Sequence, residues 1–488
     1  MAPIRRLAAL GAVVALAGCG GSSTPKPPRG GPTLRLTIPI VPNTLDPAKA
    51  ADLPSLNVAH ELYAGLTRFS GRGVVPDLAE SWEPSEDGLV WTFHLRKNLR
   101  WSDDRPITAE DFRRSWLHAL APGTHSAYAR AEMQNIRGAR RYRATGSGAI
   151  GVEAVDDRTL RVTLQHPVPW LDEQVAWPVF FPVPPGGRAS SGPFRLVSHT
   201  RGRVVLERNF NYWNVAVVKP KRIVLTTSTK GADGILPRGL AAPGFPWIAT
   251  AAGSTSGARK LQTLTVELLW FNTESSKLAD PGSREAVAVA LNRQGLVSRL
   301  GDEQAASVVV PPAMPGYATI TRGSQTLFIL GQPSSLTLGF TTQDVRARMV
   351  AETLRSQLDA KGIAVALRPF PTVTDLLAAA PRIDMVLLGW SAEFFDAYNV
   401  LDLFPCASAL NVAHWCDRSY DALMHRAVRT LDDHDRWGIE RRIVKKLSSS
   451  APAAGLYTDT EHVALKPGVR GFSWSPIGFY ELAGMTRS

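Results

Sequence analysis

Alternating apolar and polar residues predict β-strands at three places in the first third of the chain. In residues 33–38 (TLRLTI) every second residue is aliphatic, so one face of an extended segment would be apolar. Residues 89–95 (LVWTFHL) and 159–164 (TLRVTL) follow the same two-residue period. We therefore expect three strands that each bury one face.

A period of three to four residues predicts helices elsewhere. Thr108 is a suitable N-cap for a helix whose apolar face would consist of Phe112, Trp116, Leu117 and Leu120. A second helix is predicted over residues 344–360, and Gly362 would end it. The apolar positions of this second helix are Val345, Met349, Leu354 and Leu358.

The segment 340–390 alternates between the two patterns. After the second helix, residues 363–367 alternate as a strand, residues 374–380 fit a short helix, and residues 385–388 form an apolar strand. The order helix, strand, helix, strand is typical of an α/β layer. The sequence therefore predicts an α/β fold in this part of the chain.

Glycine-rich and proline-rich stretches predict turns and loops between these elements. Residues 178–192 and 231–257 are rich in Pro, Gly, Ala and Ser, which predicts loops or crossovers. Residues 146–151 (GSGAIG) match G-x-G-x-x-G, but a dinucleotide site needs a strand before this motif and a helix after it. Here an arginine-rich stretch precedes the motif and a strand pattern follows it, so we expect a turn.

The N-terminus has the pattern of an export signal. Two arginines precede the apolar run 7–17, whose eleven residues are too few to span a bilayer core, which needs about 20. The run ends in Leu16–Cys19 (LAGC), which resembles a bacterial lipobox, and the Gly-, Ser- and Pro-rich segment 20–32 fits a tether. We expect cleavage after residue 18, a lipid on Cys19, and a mature protein outside the cytoplasmic membrane. An ordinary secretory signal with a chance cysteine is the alternative.

Composition then limits the class of protein. About 470 residues remain after cleavage, which is enough for two or three domains. The hydrophobic fraction of 44% and the charged fraction of 20% are ordinary for a globular protein. The net charge of +12 comes from scattered arginines, whereas a nucleic-acid surface would need clustered ones. We therefore expect no nucleic-acid partner, and a charge that favours an anionic membrane or wall.

The chain has three cysteines, and two of them remain once Cys19 carries a lipid. Cys406 and Cys416 form an even pair in an oxidising compartment, which favours a disulfide. Two free thiols in a metal or catalytic site are the alternative. The ten-residue spacing fits no zinc pattern, and no second Cys/His pair completes four ligands.

Motifs of enzymes and cofactor sites are absent from the sequence. It contains no G-x-S-x-G, no H-E-x-x-H, no P-loop and no C-x-x-C. The ten histidines are dispersed, and the paired aspartates stand in turn-like settings. We therefore expect a protein that is not an enzyme and that holds no metal or cofactor.

Aromatic and acidic residues are grouped directly after the predicted strand 385–388. Residues 389–399 read GWSAEFFDAYN, and in open α/β sheets ligands bind beyond the carboxyl ends of strands. A Trp390 face and the carboxylate of Glu393 could hold an apolar body and a cationic group together. The alternative is that Trp390 belongs to the core and Glu393 is solvated.

Two long stretches resemble a known family. Residues 57–69 (NVAHELYAGLTRF) and 75–116 (VPDLAESWEPSEDGLVWTFHLRKNLRWSDDRPITAEDFRRSW) resemble the signature of extracellular solute-binding protein family 5, the peptide and nickel binders of ABC importers. Further blocks of that family occur in the right order at Thr44–Pro47, Ala154–Pro167, Ser191–Leu196, Asn211–Trp213, Trp270–Thr273 and Arg284–Arg293. Residues 403–421, which include Cys406 and Cys416, are most similar to the dipeptide-binding branch, which carries a cysteine pair at this place.

The resemblance implies a fold of two lobes that close over a ligand, with mixed sheets and an additional small domain. By analogy, lobe I combines residues 32–66, 190–269 and 465–488, the small domain II is 67–189, and lobe III is 270–464. Closure about a hinge would bury the ligand and strengthen each polar contact. The implied function is an extracytoplasmic receptor that delivers a small ligand to the permease subunits of an ABC importer. We expect it to act as a monomer.

The resemblance also assigns the ligand contacts. In peptide-binding relatives, an acid three residues after the Gly-Trp tryptophan pairs with the α-amino group of the ligand. That position is Glu393 here, where relatives usually have Asp, so the reach of the side chain differs. Trp390 and Trp415 would form apolar walls, Tyr398 belongs to the same predicted site, and Asp396 is the second candidate acid.

Three functions from different classes follow from these expectations. The first is a receptor for peptides, and the second is a receptor of the same family for another solute, such as a nickel chelate, a glycan or an opine. The third is an exported chaperone or enzyme built on this fold. The missing catalytic motifs count against an enzyme, and the aromatic and acidic group at 389–399 favours a cationic or amphipathic ligand.

Overall fold

The structure is a computed structural model that describes residues 30–237, 258–301, 303–318 and 335–488. The export signal, Cys19 and most of the tether lie outside the described residues, as does the greater part of the predicted loop 231–257. Among the described residues, none of the helices combines the length and the apolar character that a membrane span requires.

The strands of the described residues are numbered here in chain order. They are β1 Thr33–Thr37, β2 Thr67–Ser70, β3 Gly73–Pro76, β4 Ala79–Pro84, β5 Val90–Leu95, β6 Val152–Asp156, β7 Thr159–Thr163, β8 Phe194–Thr200, β9 Arg203–Arg208, β10 Arg222–Thr226, β11 Gly234–Ile235, β12 Arg259–Phe271, β13 Gln304–Ala305, β14 Ser335–Thr341, β15 Ala364–Phe370, β16 Met385–Leu387, β17 Trp390–Ser391, β18 Ala453–Leu465, β19 Val469–Arg470, β20 Ser473–Trp474, β21 Tyr480–Glu481 and β22 Thr486–Arg487.

The helices connect and cover these strands. The α-helices are Leu53–Leu62, Ala109–Leu120, Ala127–Glu132, Ala139–Thr145, Leu171–Gln174, Pro281–Ala290, Arg293–Leu300, Val345–Asp359, Val373–Ala379, Tyr398–Leu401, Arg418–Val428 and Asp433–Ser450. Short 3₁₀ turns occur at Pro122–Thr124, Pro178–Phe180, Val215–Val217 and Ala380–Arg382.

One large mixed sheet organises the molecule. Its strand order in the described residues is β15-β14-β16-β12-β18-β11-β1-β10-β9-β8, with β13 beside β18 and β17 beside β12. The pairs β14–β15, β14–β16 and β1–β10 are parallel, whereas β12–β18 and β8–β9 are antiparallel. A separate antiparallel sheet, β4-β5-β7-β6, carries the helix Ala109–Leu120.

Two long strands join the two halves of the large sheet. β12 and β18 have 13 residues each and pair from Arg259 opposite Val463 to Trp270 opposite Ala453. At one end β18 pairs with β11, and at the other end β12 pairs with β16. The register of the pair shifts twice between residues 262 and 268 of β12. Such irregularities bend and twist a strand pair, and here they lie where the two halves meet.

The buried apolar residues form two clusters, and residues of β12 belong to both. One cluster of buried apolar residues extends from β1 and the small sheet to the loop after β16 and the C-terminal strands. A second cluster lies between the parallel strands β14–β16 and the helices Pro281–Ala290 and Val345–Asp359. Leu268 and Trp270 of β12 face the first cluster, and Leu269 and Phe271 face the second, as the two-residue period of a strand requires.

The elements predicted from periodicity occur within a few residues of their expected places. The three alternating segments are β1, β5 and β7, and the helix after Thr108 begins at Ala109, where the Asp111 carboxylate accepts a hydrogen bond from the Thr108 N–H at 3.0 Å. The layer of helices and strands at 340–390 is also confirmed, and the GSGAIG segment is a turn in which Gly146 ends a helix with a φ of 69°. Met349, which we expected on the buried face of its helix, is exposed.

Candidate functional site

The predicted aromatic and acidic loop, residues 389–399, lies against the strand that joins the two halves of the sheet. Trp390–Ser391 pairs with Thr265–Val266 of β12, and the hydroxyls of Ser391 and Thr265 are 2.8 Å apart. The Ala392 N–H donates to the Leu264 carbonyl at 3.2 Å. The loop is therefore fixed at the junction of the two halves, beyond the carboxyl end of β16, as the sequence predicted.

Trp390 closes the loop on itself. Its indole N–H donates to the Asn399 side-chain oxygen at 2.8 Å, which connects the two ends of the segment. A Cβ at position 389 would lie 2.7 Å from the Glu267 Oε2 atom and 3.1 Å from the Val266 carbonyl oxygen, so a larger residue here would displace the Glu267 side chain. Trp390 is partly buried against the first apolar cluster, so part of its surface faces outward from the loop.

Glu393 lies where this loop contacts Glu132 and Trp177, which come from the part of the chain that follows the helix Ala109–Leu120. Its backbone carbonyl accepts a hydrogen bond from the Trp177 indole N–H at 2.6 Å. Its carboxyl group is hydrogen-bonded to the side chains of Glu132 and Asn399, and burial raises its pKa. Among the described residues it forms no ion pair with an arginine or lysine. A buried carboxyl without a cation is costly, because desolvation opposes its charged form.

Glu132 is an acidic neighbour of Glu393 that no pattern in the sequence singled out. It ends the short helix Ala127–Glu132, is only 3% exposed, and accepts a hydrogen bond from the Gln174 Nε2 at 3.2 Å. Burial raises the pKa of Glu132 well above its usual range, and the adjacent Glu393 carboxyl raises it further. Two carboxyl groups in contact without a cation hold a proton between them, because both cannot ionise at this distance.

The other two polar residues of the predicted site have partners within the protein. The buried Asp396 carboxylate accepts a hydrogen bond from the Arg436 Nε at 2.9 Å and another from the Tyr398 N–H at 2.9 Å. The Tyr398 ring packs on Trp170, with ring centroids 4.4 Å apart. These contacts stabilise the loop, and a ligand contact by either residue stays a prediction.

Cys406 and Cys416 are joined by a disulfide bond, which confirms the expected pairing. The closed segment holds Trp415, which is 8% exposed and packs edge-on against Tyr420 at 5.0 Å. Trp415 therefore belongs to the core beneath the segment, and its role as a wall of the ligand site stays a prediction.

A pocket of about 250 Å³ opens beside the loop, on the joined strands. It is lined by residues from four separate parts of the chain: Arg72, Gln262, Thr263, Gln304, Pro311, Pro312, Ala313, Thr458, Asp459 and Thr460. No local motif could have indicated it, because only the pairing of β12, β13 and β18 brings these residues together. Its wall is polar, with one exposed arginine at the tip of the β2–β3 hairpin and one partly buried acid on β18.

A charged cluster supports the floor of this pocket. Arg346 donates to Glu303 at 2.8 Å and to both carboxylate oxygens of Asp459 at 3.1 and 3.2 Å. Glu267, on the same strand pair, is partly buried, and burial together with the charge of Asp459 raises its pKa to about 8. Because the raised pKa disfavours the charged form of Glu267, the negative charge of this cluster lies on Glu303 and Asp459, which both pair with Arg346.

The described residues give no indication of a metal centre, since they contain no group of three or more His, Cys, Asp or Glu side chains able to hold an ion. The site offers several kinds of surface for contact with a ligand. It combines aromatic surface, carboxyl groups that lack cations, and a polar pocket at a junction between two halves.

Comparison with known proteins identifies this arrangement. The model of the bacterial extracellular solute-binding proteins, family 5 middle, matches residues 73–410. The oligopeptide-binding protein OppA of Bacillus subtilis is 26% identical, over 92% of this chain and 92% of its own. A protein of Escherichia coli named as a probable deoxycholate-binding periplasmic protein, YgiS, is 28% identical over 88% of this chain and 89% of its own.

The fold matches as well. The periplasmic murein tripeptide-binding protein MppA, in its unliganded open form, superposes with a TM-score of 0.80 and 23% identity, covering 93% of this chain and 97% of its own. This likeness confirms the two-lobed α/β architecture with large mixed sheets.

Proposed function

Because this chain belongs to family 5 of the bacterial extracellular solute-binding proteins, we propose that it captures peptides with a free N-terminus and delivers them to the permease subunits of an ABC importer. The family consists of solute-binding proteins, and the relatives of this chain are periplasmic. The assignment of peptides as the ligand is our own and rests on the chemistry of the loop 389–399.

The observation that carries the proposal is the setting of Glu393. This carboxyl is buried at the junction of the two halves and has no cation among the described residues, although burial disfavours its charge. A ligand ammonium group would supply the missing partner. The adjoining polar pocket has space for the peptide backbone, and its exposed Arg72 could pair with the carboxylate end.

Native mass spectrometry of the protein purified from its host tests the proposal directly. We expect co-purified species whose masses correspond to short peptides. Calorimetry should then show binding of Ala-Ala-Ala and at least tenfold weaker binding of its N-acetyl derivative, which has no ammonium group. Failure of every tripeptide in a mixed set to bind would refute the proposal.

A steroid carboxylate is the second candidate, because one relative is named for deoxycholate. The carboxyl groups of Glu132 and Glu393, which have no arginine or lysine partner among the described residues, argue against an anionic ligand. Binding of deoxycholate with higher affinity than any tripeptide would favour this alternative over the peptide receptor.

We further propose that the protein is anchored to the outer face of the cytoplasmic membrane by a lipid on Cys19. The apolar run 7–17 and the LAGC sequence support this assignment, which lies outside the described residues. Cys19→Ala should move the protein from the membrane fraction to the soluble fraction of cells. A Cys19→Ala protein that stays membrane-bound would contradict the anchor.

A further inference from the structure

The proposed site for the ligand ammonium group contains two carboxyl groups, whereas one carboxylate is enough to balance the charge of one ammonium. Glu393 contributes one carboxyl from the loop, and Glu132 places a second one against it from the other side of the contact. Glu132 is 3% exposed, so it does not face bulk water. Neither carboxyl forms an ion pair with an arginine or lysine of the described chain.

The surroundings of the pair offer a further acceptor. Gln174 donates through its Nε2 to Glu132, whereas its Oε1 atom is buried and has no hydrogen-bond partner among the described residues. Gln174 is 5% exposed, so water does not readily satisfy this oxygen. An unsatisfied buried acceptor beside two carboxyls is the complement of a group with several N–H donors.

The charged and titratable groups near the pair are acidic or neutral. Tyr128, from the same helix as Glu132, faces both carboxyls, and their charges contribute after burial to raising its pKa to about 12. Asp52 is the other charge that acts on Tyr128. On the helix Leu171–Gln174, Glu173 accepts a hydrogen bond from the Phe395 N–H, and the neighbouring Asp172 is also buried with a pKa raised to about 6.

We propose that Glu132 and Glu393 together form a two-carboxyl site for the primary ammonium group of the ligand, with the Gln174 Oε1 as a third acceptor, and that the pair gives up its shared proton when the ammonium binds. This inference rests on the proposed function and specifies the chemistry of its amine subsite. An ammonium group has three N–H donors, which match one oxygen from each of the three side chains. The proton leaves to solvent, and the ligand cation takes its place between the carboxyls.

Replacement of the shared proton by the ligand ammonium determines which class of ligand the site prefers. Two ionised carboxylates facing one ammonium leave one negative charge in a desolvated place. A second positive charge on the ligand near its N-terminus would balance that charge. The site therefore prefers amines with an adjacent second cation, such as peptides with an N-terminal lysine or ornithine, over peptides with one cation.

Proton linkage gives the test. A cation beside a carboxyl lowers the pKa of that carboxyl, so binding releases protons, and affinity rises with pH by at most about tenfold per pH unit for one proton. We would titrate the full-length protein with Ala-Ala-Ala and Lys-Ala-Ala by calorimetry between pH 5 and 7, in two buffers of different ionisation enthalpy. Lys-Ala-Ala, whose second cation balances the charge left by the proton, should show the larger proton release and should bind more tightly.

The variants separate the possible outcomes. Glu132→Gln should fold, bind Ala-Ala-Ala more weakly than the wild type, release fewer protons on binding, and lose the preference for Lys-Ala-Ala. Glu153→Gln, which changes an exposed acid paired with Arg161 in the same domain, should behave like the wild type. Binding of Ala-Ala-Ala with no proton release in the wild type, or an unchanged linkage in Glu132→Gln, would overturn the two-carboxyl site alone. Absence of binding by every tripeptide would overturn the proposed function and this site with it.

Discussion

The acids of the loop 389–399 differ in what neutralises them. Asp396 is paired with a buried arginine and also contacts the Glu440 carboxyl group, whereas Glu393 contacts the Glu132 carboxyl group with no arginine or lysine beside it in the described residues. The two residues are three positions apart, and the sequence offered both as ligand contacts. Only the positions of Arg436 and Glu132, which are distant along the chain, distinguish a carboxylate that already has its cation from one that lacks it.

Replacement of Glu393 tests the unpaired acid. Glu393→Gln retains the shape and the hydrogen bond to Asn399 while removing the charge that would face the ligand. We expect a loss of about 2–5 kcal/mol in the binding free energy of a free-amine tripeptide, the usual magnitude for truncating a buried charge pair. The thermal midpoint should stay constant or rise, since a desolvated carboxyl is removed. Calorimetry measures the first effect, and equal affinity in a folded variant would show that Glu393 does not contact the ligand.

Replacement of Asp396 tests the paired acid. Asp396→Asn would leave the buried Arg436 guanidinium with two acids, Asp433 at 2.6 Å, whose side chain is 63% exposed, and the buried Glu440 at 3.9 Å. Breaking a buried pair costs about 3–5 kcal/mol of folding stability. We expect a lower urea midpoint for Asp396→Asn, with unchanged peptide affinity below the transition.

Asp433→Asn is the matched control for Asp396→Asn, because it removes the exposed partner of the same arginine. Exposed pairs contribute about 0–1 kcal/mol, so this variant should be nearly as stable as the wild type. Equal destabilisation by the two variants would contradict a structural role that is specific to Asp396, and a loss of peptide affinity in Asp396→Asn would restore it as a ligand contact.

At the scale of elements, the segment that contains the disulfide packs against β12 and against the helix Arg418–Val428. Phe404 stacks on Trp270 of β12 at 4.8 Å, and Trp415 packs on Tyr420 of the helix Arg418–Val428. The bond between Cys406 and Cys416 therefore connects a strand of the large sheet with a helix that covers it.

Removal of this bond should lower the free energy of unfolding while the protein keeps its fold. The double variant Cys406→Ser, Cys416→Ser is expected to lose about 2.5–3 kcal/mol of unfolding free energy, by the loop-closure estimate for a short segment. Urea denaturation measures the loss, and reduction of the wild type should reproduce it. Non-reducing peptide maps should show the two cysteine peptides linked, and two alkylatable thiols in the oxidised native protein would contradict the bond.

Periodicity located the strands that bury one face, and a short apolar run located β16, but neither signal identified the two long strands. The strands β1, β5 and β7 alternate cleanly because one face meets a helix or the core. In β12 only the last four residues are continuously apolar, and in β18 polar residues follow an apolar start, because these strands pass from a core to an open junction. Their register shifts also interrupt the two-residue period, so no window of the sequence identified them as long strands.

At the scale of the whole molecule, the family and the two-lobed fold could be recognised from blocks of sequence, whereas the site could be recognised only in part. The loop 389–399 is a continuous segment with its own composition, and it lies where the sequence placed it. The pocket, Glu132 and the Arg346 cluster are assembled from distant segments by strand pairing and domain contact. Contacts of that kind depend on the relative position of the domains, which local pattern does not contain.

The pH dependence of stability should report on the junction between the halves. The pKa of Glu267 is about 8 in the folded protein, mainly because of burial, and its ordinary value is 4.5. The folded state therefore retains a proton that the unfolded chain has lost, so the contribution of Glu267 to stability is complete below pH 4.5 and is lost as the pH rises through 8. His60 has its pKa lowered to about 3 by burial, so its opposing contribution is complete above pH 6.5.

Between pH 6.5 and 8.5, the change of stability with pH should therefore come mainly from buried acids with raised pKa values. We expect the urea midpoint of the wild type to fall across this window, with a slope of at most about 1.4 kcal/mol per pH unit for each proton involved. Glu267→Gln removes one such proton and should reduce the fall without abolishing it, because Glu132 and Glu173 also have raised pKa values. Glu352→Gln, an exposed change on the helix Val345–Asp359, should keep the wild-type slope. If Glu267→Gln and the wild type lose stability in parallel, Glu267 ionises in the folded protein at an ordinary pH, and the junction is more open to water than its contacts indicate.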